Sequence, residues 1–162
     1  MKQFTISLLL LLLFNINIYS QLLSEHTPQE AIDCYKNQGY SVKERIHDNG
    51  VISIYATDFN QYPREQSVAY MNGVWIAETH RFLKHRRKNG SLVPYDESIS
   101  EYLTFVLVYL ASFNYVKITD SYYTMDVGGK EPIVLRLVEG SHSYDIVVGY
   151  KDIALKLANA IK

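Results

Sequence analysis

The chain has one cysteine, Cys34, among 162 residues. An intrachain disulfide is therefore impossible, and stability must come from packing rather than from covalent staples. Charge of one sign is also missing. Sixteen Lys and Arg face 17 Asp and Glu, for a formal net charge of −1. Nucleic-acid proteins carry a clear basic excess, so this balance argues against that class. There is no H-E-x-x-H pair, no paired-cysteine spacing, no G-x-S-x-G elbow and no phosphate-cradling glycine loop with its lysine. The sequence therefore predicts no cofactor and no metal, and it offers little for catalysis. After the first twenty residues there is no further apolar run long enough to cross a bilayer.

The apolar run that does exist is at the start, MKQFTISLLLLLLFNINIYSQ. Lys2 supplies one positive charge, Phe4 to Phe14 is apolar except for Thr5 and Ser7, and Asn15 interrupts it. A secretory h-region has ~7–15 apolar residues, whereas a spanning helix needs ~20. The pattern predicts a signal peptide over 1–20, cleaved near Ser20, and one globular domain over 21–162. The protein is then expected to be secreted or periplasmic, with no transmembrane anchor in the mature chain. Ile18, two positions before Ser20, departs from the small-residue ideal.

Within the domain, Thr27-Pro28-Gln29-Glu30 reads as a capping box with proline at the first helical position. A helix follows to about Gln38, with Ala31, Cys34, Tyr35 and Gln38 on one face, and Gly39 closes it. YSVKERIHDNGVISIYATD reads as a hairpin. A two-residue Asn49-Gly50 turn mixes apolar and polar side chains on both faces. A three-residue Asp48-Asn49-Gly50 loop pairs Ile46 with Ile52 and Val42 with Ala56, giving one apolar face and a left-handed site for Gly50. That register sets Glu44 opposite Ile54, at a sheet edge flanked by Lys43 and Arg45.

Residues 64–88 read as a long helix, with Val68, Met71, Trp75, Thr79 and Phe82 as a stripe and Asn89-Gly90 as its end. Ser98-Ile99-Ser100-Glu101 is a second capping box, opening a helix through Phe113. Strands follow from Tyr115. In the last hairpin a Gly140-Ser141 turn pairs Leu137 with Tyr144 and Leu135 with Ile146, and places Arg136 across from Asp145. A final helix from about Lys151 turns Ile153, Leu157 and Ile161 inward. No internal repeat is visible. The expected fold is α+β: an antiparallel sheet of about five strands, two and then three, with about four helices mainly on one face.

Candidate binding residues come from two places. ETHRFLKHRRKNG holds the densest charge, and Arg81, Lys84, Arg86, Arg87 and Lys88 could bind an anion or an acidic partner. The plainer reading is a solvated last helical turn whose cations suit the dipole. His80 and His85, five apart, cannot share an ion on one helix. Asn89-Gly90-Ser91 is a glycosylation sequon. Fourteen tyrosines are many for this length. Tyr122 and Tyr123 must face opposite sides of a strand, so Tyr122 or Tyr144 could sit on an exposed aromatic face that holds a ligand. The plainer reading is half-buried strand residues.

Size, export and scarcity of chemistry together suggest a binding or interaction protein with a protein or small-ligand partner, for example an inhibitor or immunity-type partner. The enzymatic alternative is a small hydrolase using Glu44, Asp96 or Glu97 with a histidine. A further alternative is an accessory piece of an envelope or secretion assembly, held by a sheet edge.

Overall fold

The computed structural model describes residues 27–58, 64–88, 91–128 and 131–161, without the side chains at 58, 87, 88 and 112. The signal-peptide assignment and the sequon residues Asn89 and Gly90 lie outside them. Helix α1 spans Pro28–Asn37 and is followed by six strands: β1 Ser41–Ile46, β2 Val51–Asp58, β3 Arg64–Met71, β4 Val74–Leu83, β5 His85–Lys88 and β6 Ser91–Pro94. Helix α2 spans Ser98–Ser112. Four more strands follow, β7 Val116–Thr119, β8 Tyr122–Met125, β9 Ile133–Glu139 and β10 Ser143–Tyr150, and helix α3, Lys151–Ala160, completes the described elements. Eight strands form one antiparallel sheet in the order β1-β2-β3-β4-β10-β9-β8-β7, and β5 pairs with β6 in a separate ribbon.

This corrects the expectation of about five strands and about four helices. Most of the difference lies at 64–88, which is not a helix but β3, β4 and β5; the rest is β6 and the division of 116–125 into β7 and β8. Asn72 and Gly73 both have positive φ, 52° and 76°, the backbone of a two-residue primed hairpin turn between β3 and β4. The helical stripe was an accident of a β-bulge. Ala69 is opposite Ala77 but Tyr70 is opposite Trp75, so Ile76 is the extra residue on β4. The bulge breaks the period-two alternation, and Trp75, Ile76, Ala77 and Glu78 are all buried in succession. A strand buried on both faces loses its alternating signature.

Strands β1 to β4 form one meander and β7 to β10 another, each preceded by a helix, and the two last strands, β4 and β10, pair at the centre. The element order is thus duplicated although the sequence shows no repeat. The helices do not all lie on one face. Ala31, Ile32 and Tyr35 of α1 and Val106 and Tyr109 of α2 pack with Ile54, Val68, Tyr70, Phe82, Leu135, Ile146 and Val148. Their neighbours in sequence, Val134 and Val147, point the other way and pack with Ala154 and Ala158 of α3. Leu157, expected inward, is partly exposed. The two alanines are buried, because small residues let α3 lie close to β9 and β10.

Thr27 and Glu30 form the capping box, with the Thr27 backbone N–H donating to Glu30 at 2.8 Å. Ile32 joins Ala31 and Tyr35 in the buried stripe of α1, while Gln38 is exposed. The first hairpin has the expected register, Ile46 opposite Ile52 and Glu44 opposite Ile54, with Gly50 at φ 77°. Helix α2 forms without its box. Glu97 is the cap residue, and Glu101 instead accepts from the Tyr95 hydroxyl at 2.5 Å. The last hairpin slips by two residues, placing Leu137 opposite Ile146 and Arg136 opposite Val147. A slip of two preserves the faces, and Gly140 N–H donates to Ser143 O around a Ser141-His142 loop.

Candidate functional site

Strand β4 sits at the centre of the sheet and carries polar groups into the interior on both faces. On the helix-covered face, Glu78 and His80 alternate with Phe82 and are buried. The Tyr109 hydroxyl of α2 donates to Glu78 Oε1, and His80 Nε2 lies 3.2 Å from the same oxygen. The His80 ring also packs against Phe105 and Tyr109. Around this carboxylate stand phenols from three further places. Burial, then the Glu78 charge, pushes the Tyr35, Tyr70 and Tyr115 hydroxyls well above the ordinary tyrosine range, and both causes act on Tyr109. Among the described residues, His80 Nδ1 and the Tyr35 hydroxyl are buried and have no hydrogen-bond partner. An interior carboxylate costs several kcal/mol unless it is hydrogen-bonded. Here the bond joins the middle of α2 to the central strand. The chemistry available is that of an acid–base pair closed off from solvent, and its evident work is to hold helix and sheet together.

On the other face of β4, Arg81 Nε donates to Asp145 Oδ1 at 2.7 Å and Nη1 to Glu65 at 3.3 Å. Asp145 is fully buried and also accepts from Ser143 Oγ at 2.6 Å. Arg81 is therefore the counter-ion of a buried acid, not the free cation of a helix end. Lys84 follows β4. Its Nζ donates to Glu139 and to Gly140 O, both at 2.9 Å, and stands 4.2 Å from the Tyr144 ring centroid. Tyr144 stacks on Tyr102 of α2 at 5.3 Å, and burial, then the Glu139 charge, raises the Tyr102 hydroxyl to about 12. Tyr122 packs in the α3 cluster with Arg136 over its ring at 5.3 Å. Arg87 and Lys88 are on β5, their side chains outside the description.

The structure thus brings Lys84 and Tyr144 together, puts Arg81 through the sheet from them, and leaves Tyr122 apart on β8. The expectation that the basic tract is a helical turn falls with the helix. Glu44 is exposed on edge strand β1, and Asp96 and Glu97 are exposed in the turn before α2. The carboxylates with built surroundings are Glu78 and Asp145. Sequence reading did not single out Glu78, and it paired Asp145 with the wrong arginine. In a strand, Glu78 and His80 share a face; read as a helix, the same two residues diverge.

One surface feature was not read from the sequence as a site. Helix α2 contains a single charged residue, Glu101. Its inward side carries Tyr102, Phe105, Val106, Tyr109 and Leu110. Its outward side carries Ile99, Leu103 and Leu107, exposed by 46%, 51% and 69%. These residues are four apart and form one ridge. Beside them lie Ser100, Thr104 and Ala111, also exposed. Among the described residues no helix is long and apolar enough to cross a membrane, and none gathers three or more His, Cys, Asp or Glu as metal ligands. No family model, curated protein or solved structure matches this chain.

Proposed function

We propose that this chain is an exported interaction domain without enzymatic activity, and that it meets another polypeptide through the outward face of α2. The observation that carries this reading is the exposed Ile99-Leu103-Leu107 ridge on a helix face without charge. A helix that is apolar all round is buried in its working state, and contiguous exposed apolar patches mark interaction sites. Fully burying a Leu or Ile contributes roughly 1.5–3 kcal/mol, so these half-exposed side chains contribute about 1 kcal/mol each. That is enough for the centre of an interface but not for tight binding alone, since association itself costs several kcal/mol. The polar ends of the helix supply the rim. Export rests on the short leucine-rich opening segment, with cleavage near Ser20 and a secreted or periplasmic mature chain.

The test uses chain 21–162 as bait against extract from the secreting host, beside a Leu103→Lys/Leu107→Lys double variant. Both substitutions are at exposed positions, so the variant keeps its circular dichroism. One stoichiometric polypeptide held by the wild type and lost from the variant is the expected result. Equal capture by both, or neither capturing anything at good expression, overturns the reading. N-terminal sequencing of the native chain checks export, and a cytosolic chain beginning at Met1 would refute it.

A second reading is favoured by β7. This edge strand has all four residues exposed, and Val116 and Ile118 are more than half so. Its unpaired edge could accept an extended strand from an envelope assembly. Loss of the same partner on Ile118→Pro, but not on Leu103→Lys, would assign the interaction to the edge.

A further inference from the structure

Helix α1 lies over β1 and β2, and α2 lies over β4 and β10. Strand β3 is between those pairs in the sheet, beneath the seam of the two helices. Its side chains on that face are Arg64, Gln66, Val68 and Tyr70. Val68 and Tyr70 are buried and close one end of the seam, whereas Arg64 and Gln66 are half-buried at the other. The Arg64 guanidinium carbon stands 4.6 Å from the Phe105 ring centroid on α2 and 4.9 Å from that of Phe82 on β4. Gln66 Nε2 donates to the Tyr40 hydroxyl at 3.1 Å, and the Tyr40 ring meets Tyr35 of α1 edge-on at 5.8 Å. The open end of the seam thus has aromatic walls from both halves of the chain and a cation on its floor.

Among the described residues that cation has no counter-ion. Arg81, on the opposite face of β4, holds Asp145 and Glu65, whereas no described carboxylate is within ion-pair distance of Arg64. Glu101 on α2 is the described acid whose charge reaches Arg64, and its carboxylate already accepts from the Tyr95 hydroxyl. Arg64 Nε is buried and has no hydrogen-bond partner among the described residues. The same holds for the Tyr35 hydroxyl, which is near enough for a charge on it to act on the guanidinium. Buried polar atoms nearly always have partners. Two donors left over in one place, one of them cationic, match an acceptor that carries negative charge.

The surroundings also select the kind of anion. One guanidinium balances one negative charge, and Glu101 repels a second, so a monoanion fits better than a phosphate dianion. A guanidinium takes a planar carboxylate through two parallel N–H···O bonds. The rings of Phe82, Phe105, Tyr35 and Tyr40 suit a flat apolar body behind that head. We infer that the open end of the seam between α1 and α2 binds a small aromatic monocarboxylate, with Arg64 as its counter-ion and the Tyr35 hydroxyl as a second donor. The site is on the inner side of α2 and does not depend on the outward ridge of that helix.

The test is a titration of chain 21–162 with benzoate, in a buffer free of phosphate and of other carboxylates. Calorimetry reads the affinity, and proton–nitrogen NMR follows the Arg64 Nε–H signal. Benzoate is expected to bind one to one and to move that signal, a readout that needs no variant. Benzamide, the same ring without the charge, and inorganic phosphate are each expected to bind about tenfold more weakly or worse. Arg64→Lys keeps the charge but not the planar fork, and is expected to lose about tenfold. Tyr35→Phe removes one hydroxyl and is expected to lose severalfold. Glu101→Gln removes the repelling charge and is expected to tighten binding. Leu103→Lys, on the outward side, is expected to leave it unchanged. Thermal unfolding of each variant excludes loss of fold. Benzoate that fails to bind at millimolar concentration, or benzamide that binds as tightly, overturns the inference. So does an Arg64 Nε–H signal that stays still while benzoate binds. Phosphate bound more tightly than benzoate overturns the carboxylate class.

Discussion

The Tyr109 hydroxyl on α2 donates to the Glu78 carboxylate on β4, and this bond ties the longest of the described helices to a strand at the centre of the sheet. Glu78 also has His80 beside it, but the phenol is its donor from the helix layer. Tyr109→Phe keeps the ring and removes only the donor. It is expected to cost about 3 kcal/mol, because a buried carboxylate loses its main partner. Glu78→Gln in the Tyr109→Phe background recovers part of that loss, since an amide tolerates burial better than a charge. Urea midpoints of the two single variants and the double variant measure the coupling. Additive losses would show that the bond is not the link.

Alkaline pH tests the tyrosine cluster as a whole. Burial raises the hydroxyls of Tyr35, Tyr70, Tyr109 and Tyr115 in the folded state, and that of Tyr102 to about 12. The unfolded chain ionises near the ordinary value of ~10. A folded-state pKa above the unfolded one gives stability that is complete below pH ~10 and lost as pH rises toward the folded values. Each such tyrosine steepens the loss by roughly 1.4 kcal/mol per pH unit. Urea midpoints are therefore expected to be flat from neutral pH to about 10 and to fall steeply above it. Tyr35→Phe makes the fall shallower. Tyrosinate absorbance appearing before unfolding, with ordinary pKa values for all fourteen, would contradict this.

Arg81 and Asp145 form the polar pair on the opposite face of the same strand, at 2.7 Å. Arg81→Met leaves a fully buried carboxylate with only Ser143 Oγ and is expected to cost about 3–5 kcal/mol. Glu65→Gln removes the half-exposed second partner and is expected to change stability by less than about 0.5 kcal/mol. Chemical denaturation of the two variants separates a structural arginine from an anion-binding one. An anion site would lose binding on Arg81→Met with little change in stability.

Gly149 on β10 stands opposite Ala77 on β4. A Cβ there would stand 2.7 Å from both Ala77 Cβ and Ile76 O. Backbone cannot step aside as a flexible side chain does, so Gly149→Ala is expected to destabilise by about 1–3 kcal/mol. Ala77→Gly rescues it only in part, because the Ile76 carbonyl remains. Thermal unfolding of the three variants is the measurement.

Gly73 tests the hairpin that replaced the expected helix. Its φ is 76°, yet no atom comes within 4 Å of an added Cβ. Gly73→Ala is therefore a pure backbone effect, expected to cost about 1 kcal/mol. A helix at 64–88 would have gained stability from the same substitution, so the sign alone discriminates.

What the sequence determined by itself is local. The Thr27–Glu30 box, the Gly50 turn and the register of β1 on β2 all follow from residues within a few positions of one another, where sterics and hydrogen bonding decide the outcome. The opposite facing of Tyr122 and Tyr123 is equally local. Tertiary structure decided the rest. Strand β4 is buried on both faces around Trp75–Glu78 by partners distant in sequence, and the bulge at Ile76 disguises its period as helical. In the last hairpin, Asp145 finds Arg81 on β4, 64 residues away, rather than Arg136 nearby. Glu78 becomes the centre of a tyrosine cluster only once α1 and α2 close over the sheet. The ridge on α2 becomes visible only when the same helix has turned its other apolar side inward. Periodicity counts apolar residues along a helix, and packing alone says which of them stay in water.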